Sequence, residues 1–137
     1  MRYARMVTMT KSQAKQLSPA VLAFYGDSVY EVLVRRKIVE GGNRPSRALH
    51  RMSVEMVRAS FQSRVFDLLS EILKEEEAEI LRRGRNASGL TVPHSSTPEE
   101  YHKATAVEAL FGYLSLIGEN ERISELFEVI CNEENQK

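Results

Sequence analysis

The chain has one cysteine, three histidines, four prolines and no tryptophan in 137 residues. Each scarcity removes a class of protein. Cys131 alone cannot close an internal disulfide, and without Cys or His partners at metal spacing it reads as a small apolar side chain in the last helix. His50, His94 and His102 show neither triad nor zinc spacing, so exposed or packing roles suit them better than catalysis. No apolar run is long enough to span a membrane. The first seventeen residues, with Arg2, Arg5, Lys11 and Lys15, lack the apolar core of a signal peptide. The expectation is a cytoplasmic protein with no membrane association. Nothing alternates as a strand does, and there is no internal repeat or low-complexity tract.

Net charge is also lacking, with nineteen basic side chains against nineteen acidic ones. The zero hides blocks. Arg35 to Arg64 nets +6, Asp67 to Glu79 nets −5, Arg82, Arg83 and Arg85 add +3, and the chain from Pro98 onward nets −6. Thirteen of the nineteen basic residues are arginine, whose fork matches phosphate oxygens. A surface divided in this way is compatible with nucleic acid, as it is with ordinary solvated helix faces.

At 42% hydrophobic content the chain is long enough for one domain around one core. Residues 1–17 read as a loosely ordered leader with a short helix near its end, 18–132 as the folded domain, and 133–137 as a frayed terminus. Ser18 and Pro19 supply an N-cap and a first-turn proline, and Gly41-Gly42 a stop, which predicts a helix from about Pro19 to about Glu40. Pro45 opens a short helix to about Arg51, and Ser53 caps another to about Phe61. Val65 to Leu73 repeats at helical spacing, and Glu75 to Leu81 continues as an acidic-fronted helix. The stretch from Arg82 to Ser96 is the longest irregular segment. Thr97-Pro98-Glu99-Glu100 is a capping box opening a helix to about Ile117, stopped by Gly118, and a final helix from about Glu121 carries Ile123, Leu126, Phe127 and Ile130 on one face. The fold class is all-α, with about seven helices.

Two of these helices carry a carboxylate where apolar side chains prevail. Leu22 to Leu33 is apolar in nearly every direction, which marks a central helix buried on more than one side, yet Asp27 sits in its middle. Either Asp27 faces solvent at a gap, or it is a buried carboxylate that needs a cation, a proton or a donor. Glu31, one turn on, has Arg35 at i+4 in the favourable order, so an ordinary ion pair accounts for it. Glu108 repeats the oddity, with Ala104 one turn before it and Gly112 one turn after. Helices with Gly26 and Gly112 beside their carboxylates can cross closely and bring Asp27 and Glu108 together as a hard-oxygen site for Mg²⁺. Spacing alone equally permits two unrelated surface acids.

The Phe24-Tyr25-Gly26-Asp27-Ser28-Val29 core resembles the signature helix of ribonuclease III catalytic domains, and Val107-Glu108-Ala109-Leu110-Phe111-Gly112 resembles their second acidic helix. With Arg82-Arg83-Gly84-Arg85-Asn86-Ala87 between them, the chain is similar to the small Mini-ribonuclease III branch, over about residues 18–130. The resemblance implies an all-α homodimer that cuts double-stranded RNA with a divalent metal, Mg²⁺ or alternatively Mn²⁺, and a link to maturation of large-subunit (23S) ribosomal RNA. It implies that Asp27 is the catalytic, metal-binding aspartate and Glu108 the metal-binding glutamate. Larger family members carry two more carboxylates where this chain has Ala23 and Thr105, which leaves the number of metal ions open, and the Mini branch shares the reduced set.

Phosphodiester hydrolysis needs an activated water and neutralisation of charge on the phosphate and leaving oxygen, all of which a divalent cation can serve. Selection by shape is expected, since A-form RNA presents 2′-hydroxyls and phosphates across a shallow minor groove. Arg82, Arg83, Arg85 and Asn86 are the candidates for RNA contacts, against the alternative of a solvated loop. With no separate RNA-binding domain, binding should be weak and salt-sensitive, relying on substrate structure or a large-subunit ribosomal protein for selectivity. Two other readings are a non-catalytic RNA-binding ribosome-assembly factor and a helical interaction protein without RNA.

Overall fold

A computed structural model describes residues 7–135. Seven helices follow in chain order: α1 (Lys11–Lys15), α2 (Pro19–Glu40), α3 (Ser46–Val57), α4 (Ala59–Leu69), α5 (Glu75–Arg85), α6 (Pro98–Leu116) and α7 (Asn120–Asn135). No strand occurs among the described residues. The strong start signals sit where expected. The Ser18 hydroxyl accepts from the Val21 N–H at the head of α2, and Thr97 and Glu100 cap one another at the head of α6.

The helix buried on all sides is α6. Every residue from Ala104 to Leu114 except Glu108 is buried, and α2, α4, α5, α7 and α1 pack around it. Its small side chains at Ala104, Ala106, Ala109 and Gly112 let neighbouring helices approach its axis, while Leu110, Phe111 and Tyr113 fill the gaps between them. The centre of the fold is therefore α6 rather than α2. The surplus apolar side chains of α2 have another fate. Leu22, Tyr30, Val34 and Ile38 enter the core, but Val21, Phe24, Tyr25, Val32 and Val39 form an uncovered stripe along the opposite face, Phe24 being 85% exposed.

Three expected boundaries move. The helices expected at Pro45–Arg51 and Ser53–Phe61 are one helix, α3, with Pro45 as its N-cap and Ser53 buried inside it. Leu49, Met52 and Met56 repeat along one face against the core, and Tyr30 donates to the Met56 carbonyl at 2.8 Å, so tertiary packing outweighs the capping tendency of Ser53. The break falls at Arg58, whose extended backbone separates α3 from α4. After Leu69 the chain turns, and α5 begins once Lys74 N–H donates to the Glu77 carboxylate at 2.9 Å. Glu77 is in turn held by Arg122 at the head of α7, both its oxygens accepting at 2.9 Å.

The leader, expected to be loose, is docked from Met9 onward. Met9 N–H donates to the Leu116 carbonyl at 2.8 Å, Ala14 is fully buried, and Lys11 pairs with Glu76 at 2.8 Å. Arg83 fastens the end of α1 by donating to the carbonyls of Lys15 and Leu17. Residues 1–6 lie outside the described residues. At the other end, 133–135 continue α7 rather than fray, and 136–137 lie outside the described residues.

Candidate active site

The two carboxylates meet because α2 and α6 touch backbone to backbone. A Cβ on Gly26 would lie 1.6 Å from the Glu108 carbonyl oxygen and 2.8 Å from the Gly112 nitrogen, and a Cβ on Gly112 would lie 2.1 Å from the Leu22 carbonyl oxygen. Only glycine at both positions permits this crossing. Asp27 follows Gly26 and Glu108 lies one turn before Gly112, so their carboxyl groups converge beside the contact, within hydrogen-bonding reach of one another. Asp27 is exposed and Glu108 half-buried, which places the pair at a rim open to solvent. Asp27 therefore faces solvent, as the first of its two possibilities had it, and the burial that the second required falls on Glu108 instead.

Burial is the largest influence on Glu108 and disfavours its charge. The Asp27 carboxyl adds to this by hydrogen bond and by like charge, Glu31 adds repulsion, and only Gln62 opposes it, leaving the Glu108 carboxyl pushed up to about 8. Among the described residues no lysine or arginine forms an ion pair with either carboxylate. Glu31 is already engaged, its Oε1 accepting from Arg35 at 2.8 and 3.1 Å. Ala23 and Thr105 are buried, and Thr105 spends its hydroxyl proton on the Tyr101 carbonyl, so neither adds an oxygen at the rim. Among the described residues no group of three or more His, Cys, Asp or Glu side chains is arranged to hold a metal ion.

What the residues offer is a pair of hard carboxylate oxygens at an open edge, short of positive charge. That donor set fits a hydrated Mg²⁺, which binds through one or two carboxylates and keeps most of its waters. Gln62 is the neighbour that sequence reasoning missed. It lies on α4, 3% exposed, and no spacing marks it out.

The arginine group is divided by the fold. Arg82, Arg83 and Arg85 stand on the last turn of α5, not in a loop, and Asn86 is its C-cap. Basic side chains there complement the helix dipole, which explains why α5 runs on through them. Arg83 is committed to the α1 carbonyls, while Arg82 pairs with Glu79. Arg85 pairs with Glu99 at 3.5 Å and lies 5.8 Å above the Phe66 ring. Arg82, Arg83 and Asn86 line an open groove with Ser18, Pro19 and Ala20 at the head of α2.

A profile of the Ribonuclease III domain matches residues 20–119. The chain is 43% identical over 121 residues to the Mini-ribonuclease 3 of Thermoanaerobacter sp. (strain X514), covering 88% of this chain and 85% of that one. It is 42% identical over 116 residues to the Mini-ribonuclease 3 of Symbiobacterium thermophilum, covering 85% and 89%. Among solved structures, the crystal structure of protein FN1578 from Fusobacterium nucleatum superposes with a TM-score of 0.79 at 30% identity, covering 85% of this chain and 94% of that one.

Proposed function

The chain belongs to the ribonuclease III family as an endoribonuclease, and on that premise we propose that it cleaves double-stranded RNA with a divalent cation held by Asp27 and Glu108. The observation that carries this reading is the convergence of the two carboxylates at the Gly26–Gly112 crossing. Two hard-oxygen groups that repel one another, one of them driven toward its protonated form, are a place where a cation relieves an electrostatic cost. Mg²⁺, or Mn²⁺ in its stead, suits those oxygens.

Asp27 and Glu108 would hold the cation through direct oxygens and through its retained waters. When bound, the cation supplies an activated water and neutralises charge on the phosphate and the leaving oxygen. The chain's own part is to fix geometry. The glycine crossing fixes the backbones from which the two carboxylates project, and the exposed side of Asp27 leaves room for a phosphodiester to approach. Glu108 must give up its proton before it can serve as a ligand.

The uncovered stripe of α2 supports a homodimer. Val21, Phe24, Val32 and Val39 leave a row of exposed apolar side chains along α2, with Tyr25 at its edge bonded to Ser115, and an isologous contact through this face would pair two copies. Arg82 and Asn86, beside the head of α2, serve in this reading as phosphate or groove contacts, with Arg85 released from Glu99 as RNA binds. Arg83 has a structural duty and contributes charge rather than a free fork.

The biological substrate in this reading is the precursor of large-subunit (23S) ribosomal RNA, processed in the cytoplasm, with a large-subunit ribosomal protein shaping the substrate. No helix among the described residues is long and apolar enough to cross a membrane. The test is cleavage of a long, fully paired, end-labelled RNA with and without Mg²⁺, alongside Asp27→Asn and Glu108→Gln. Discrete Mg²⁺-dependent products that vanish in both variants support the reading. Undiminished cleavage in either variant refutes its assignment of the site, and RNA binding without cleavage by the unaltered chain favours an assembly factor.

A further inference from the structure

Gln62 carries an unsettled account of hydrogen bonds beside the carboxylate pair. Its side chain is 3% exposed, and its Nε2 donates to the Val57 carbonyl at 2.8 Å. Val57 is the last residue of α3, where carbonyls lose their helical partners, and the extended residue Arg58 lets the α4 side chain reach back to it. That bond uses one of the two Nε2 hydrogens. The same amide lies against Glu108 and favours its charged form, which leaves its second hydrogen directed to that side of the site. The Oε1 atom is buried and has no hydrogen-bond partner. A buried amide oxygen without a donor is uncommon in folded proteins and costs free energy unless something supplies the missing hydrogen.

The groups around Glu108 do not supply it. Asp27 and Glu31 are carboxylates, Glu31 is occupied by Arg35, and the proton that Glu108 keeps is directed to Asp27. A cap for Val57 would explain the donor half of the amide but not the choice of glutamine over a side chain without the spare oxygen. A hydrated cation between Asp27 and Glu108 would bring waters whose hydrogens need acceptors, and such outer-shell partners orient the ligands and tune affinity.

Resting on the two-carboxylate reading above, we propose that Gln62 is the positioning residue of the cation site, its Nε2 orienting Glu108 and its Oε1 accepting from a water that enters with the cation. The site is then two carboxylates on α2 and α6 completed by an amide on α4. This gives a chain with Ala23 and Thr105 in place of acids a third oxygen, without a further negative charge.

The experiment is titration of the RNA-free full chain with MnCl₂, read by calorimetry and by the paramagnetic signal of free Mn²⁺, for the unaltered protein, Gln62→Met and Gln62→Glu. Thermal melting checks that each variant is folded. Gln62→Met keeps the volume and removes both amide functions, and its affinity for Mn²⁺ should fall about tenfold or more. Gln62→Glu keeps an oxygen and adds charge, and should bind Mn²⁺ several-fold more tightly above pH 8. A residue that only packs or caps α3 would move the melting temperatures of both variants and leave Mn²⁺ affinity unchanged. Binding by the unaltered chain that neither folded variant alters overturns this inference alone. Should Gln62→Met fail to fold, an unchanged affinity in Gln62→Glu overturns it by itself. No Mn²⁺ binding by the unaltered chain overturns both the two-carboxylate reading and the role of Gln62.

Discussion

Substituting Gly26 by alanine tests the crossing on which both fold and site depend. The added Cβ would stand 1.6 Å from the Glu108 carbonyl oxygen, whereas ordinary contact begins at 3.4 Å, so α2 and α6 must separate by about 2 Å at that point. The atom it meets is backbone inside the most buried helix, so no rotamer change relieves it. Overpacking of this kind costs about 3 kcal/mol, with more expected where rigid helices must part. Alanine's better helix propensity returns about 1 kcal/mol, leaving a net loss of roughly 2–4 kcal/mol. For a chain of this length that lowers the melting temperature by about 10 °C. The carboxylates ride on the same backbone, and a shift of that size at reacting groups costs about 100-fold in rate. The assay is thermal melting together with single-turnover RNA cleavage, with Gly41→Ala as control. At Gly41 the nearest atoms to a Cβ are 3.2 and 3.3 Å away and the loss should be no more than a few °C. A Gly26→Ala protein that melts within 3 °C of the parent and cleaves at the parent's rate would refute the argument that close contact sets the carboxylate pair.

Four other outcomes follow from the same geometry. Because the Glu108 carboxyl is pushed up to about 8 in the cation-free protein, the folded state holds a proton that the unfolded chain releases near the ordinary carboxyl range. Stability should then fall as pH rises from about 5 through 8, and Glu108→Gln or saturating Mn²⁺ should flatten that slope in melting curves. Burial favours the neutral form of Glu77, but the Arg122 guanidinium and the Lys74 N–H overcome it. Arg122→Met strands that charge at 4% side-chain exposure and should cost about 3–5 kcal/mol in urea unfolding, largely recovered in the Glu77→Leu, Arg122→Met double variant. Phe24→Glu places a charge in the middle of the α2 stripe and should convert a dimer to a monomer in sedimentation while leaving the melting curve of the monomer little changed. Replacing Arg82 and Arg85 together by alanine should weaken RNA binding and reduce its salt dependence, with no comparable loss of stability, since both are exposed.

The elements legible in the sequence were those whose ends carry their own chemistry. Ser18-Pro19 and Thr97-Pro98-Glu99-Glu100 announced α2 and α6 because a cap, a fixed proline φ and a reciprocal glutamate act within one turn and owe nothing to the rest of the fold. The crossing was legible only as one of two readings, since Gly26 beside Asp27 and Gly112 one turn after Glu108 allow two apolar helices to approach closely but do not require it. Ser53 misled because a good capping residue is also a tolerable helix-interior residue once Leu49, Met52 and Met56 bury the same face. The leader misled because its anchors are distant: Met9 bonds to Leu116, and Arg83 reaches back to Lys15 and Leu17. Gln62 was invisible for the same cause, as its meaning depends on an α3–α4 break at Arg58 and on a glutamate 46 residues away in the chain.

The uncommitted carboxylates also bear on how strongly a cation can be held. Glu31 would be the natural third acid, yet Arg35 takes its Oε1 twice, and what Glu31 still exerts on Glu108 is repulsion. Asp27 and Glu108 are then the two charged ligands of this reading, and affinity for a hard cation rises with the number of charged ligands. Freeing Glu31 should therefore change the site more than removing it. Arg35→Gln releases a carboxylate toward the pair, and Glu31→Gln withdraws one that Arg35 already holds by its Oε1. If the geometry is read correctly, Arg35→Gln raises Mn²⁺ affinity, whereas Glu31→Gln leaves it near the parent's value and eases the repulsion on Glu108. The reverse order, with Glu31→Gln abolishing binding, would place Glu31 among the ligands and make its ion pair with Arg35 a resting arrangement that the cation displaces.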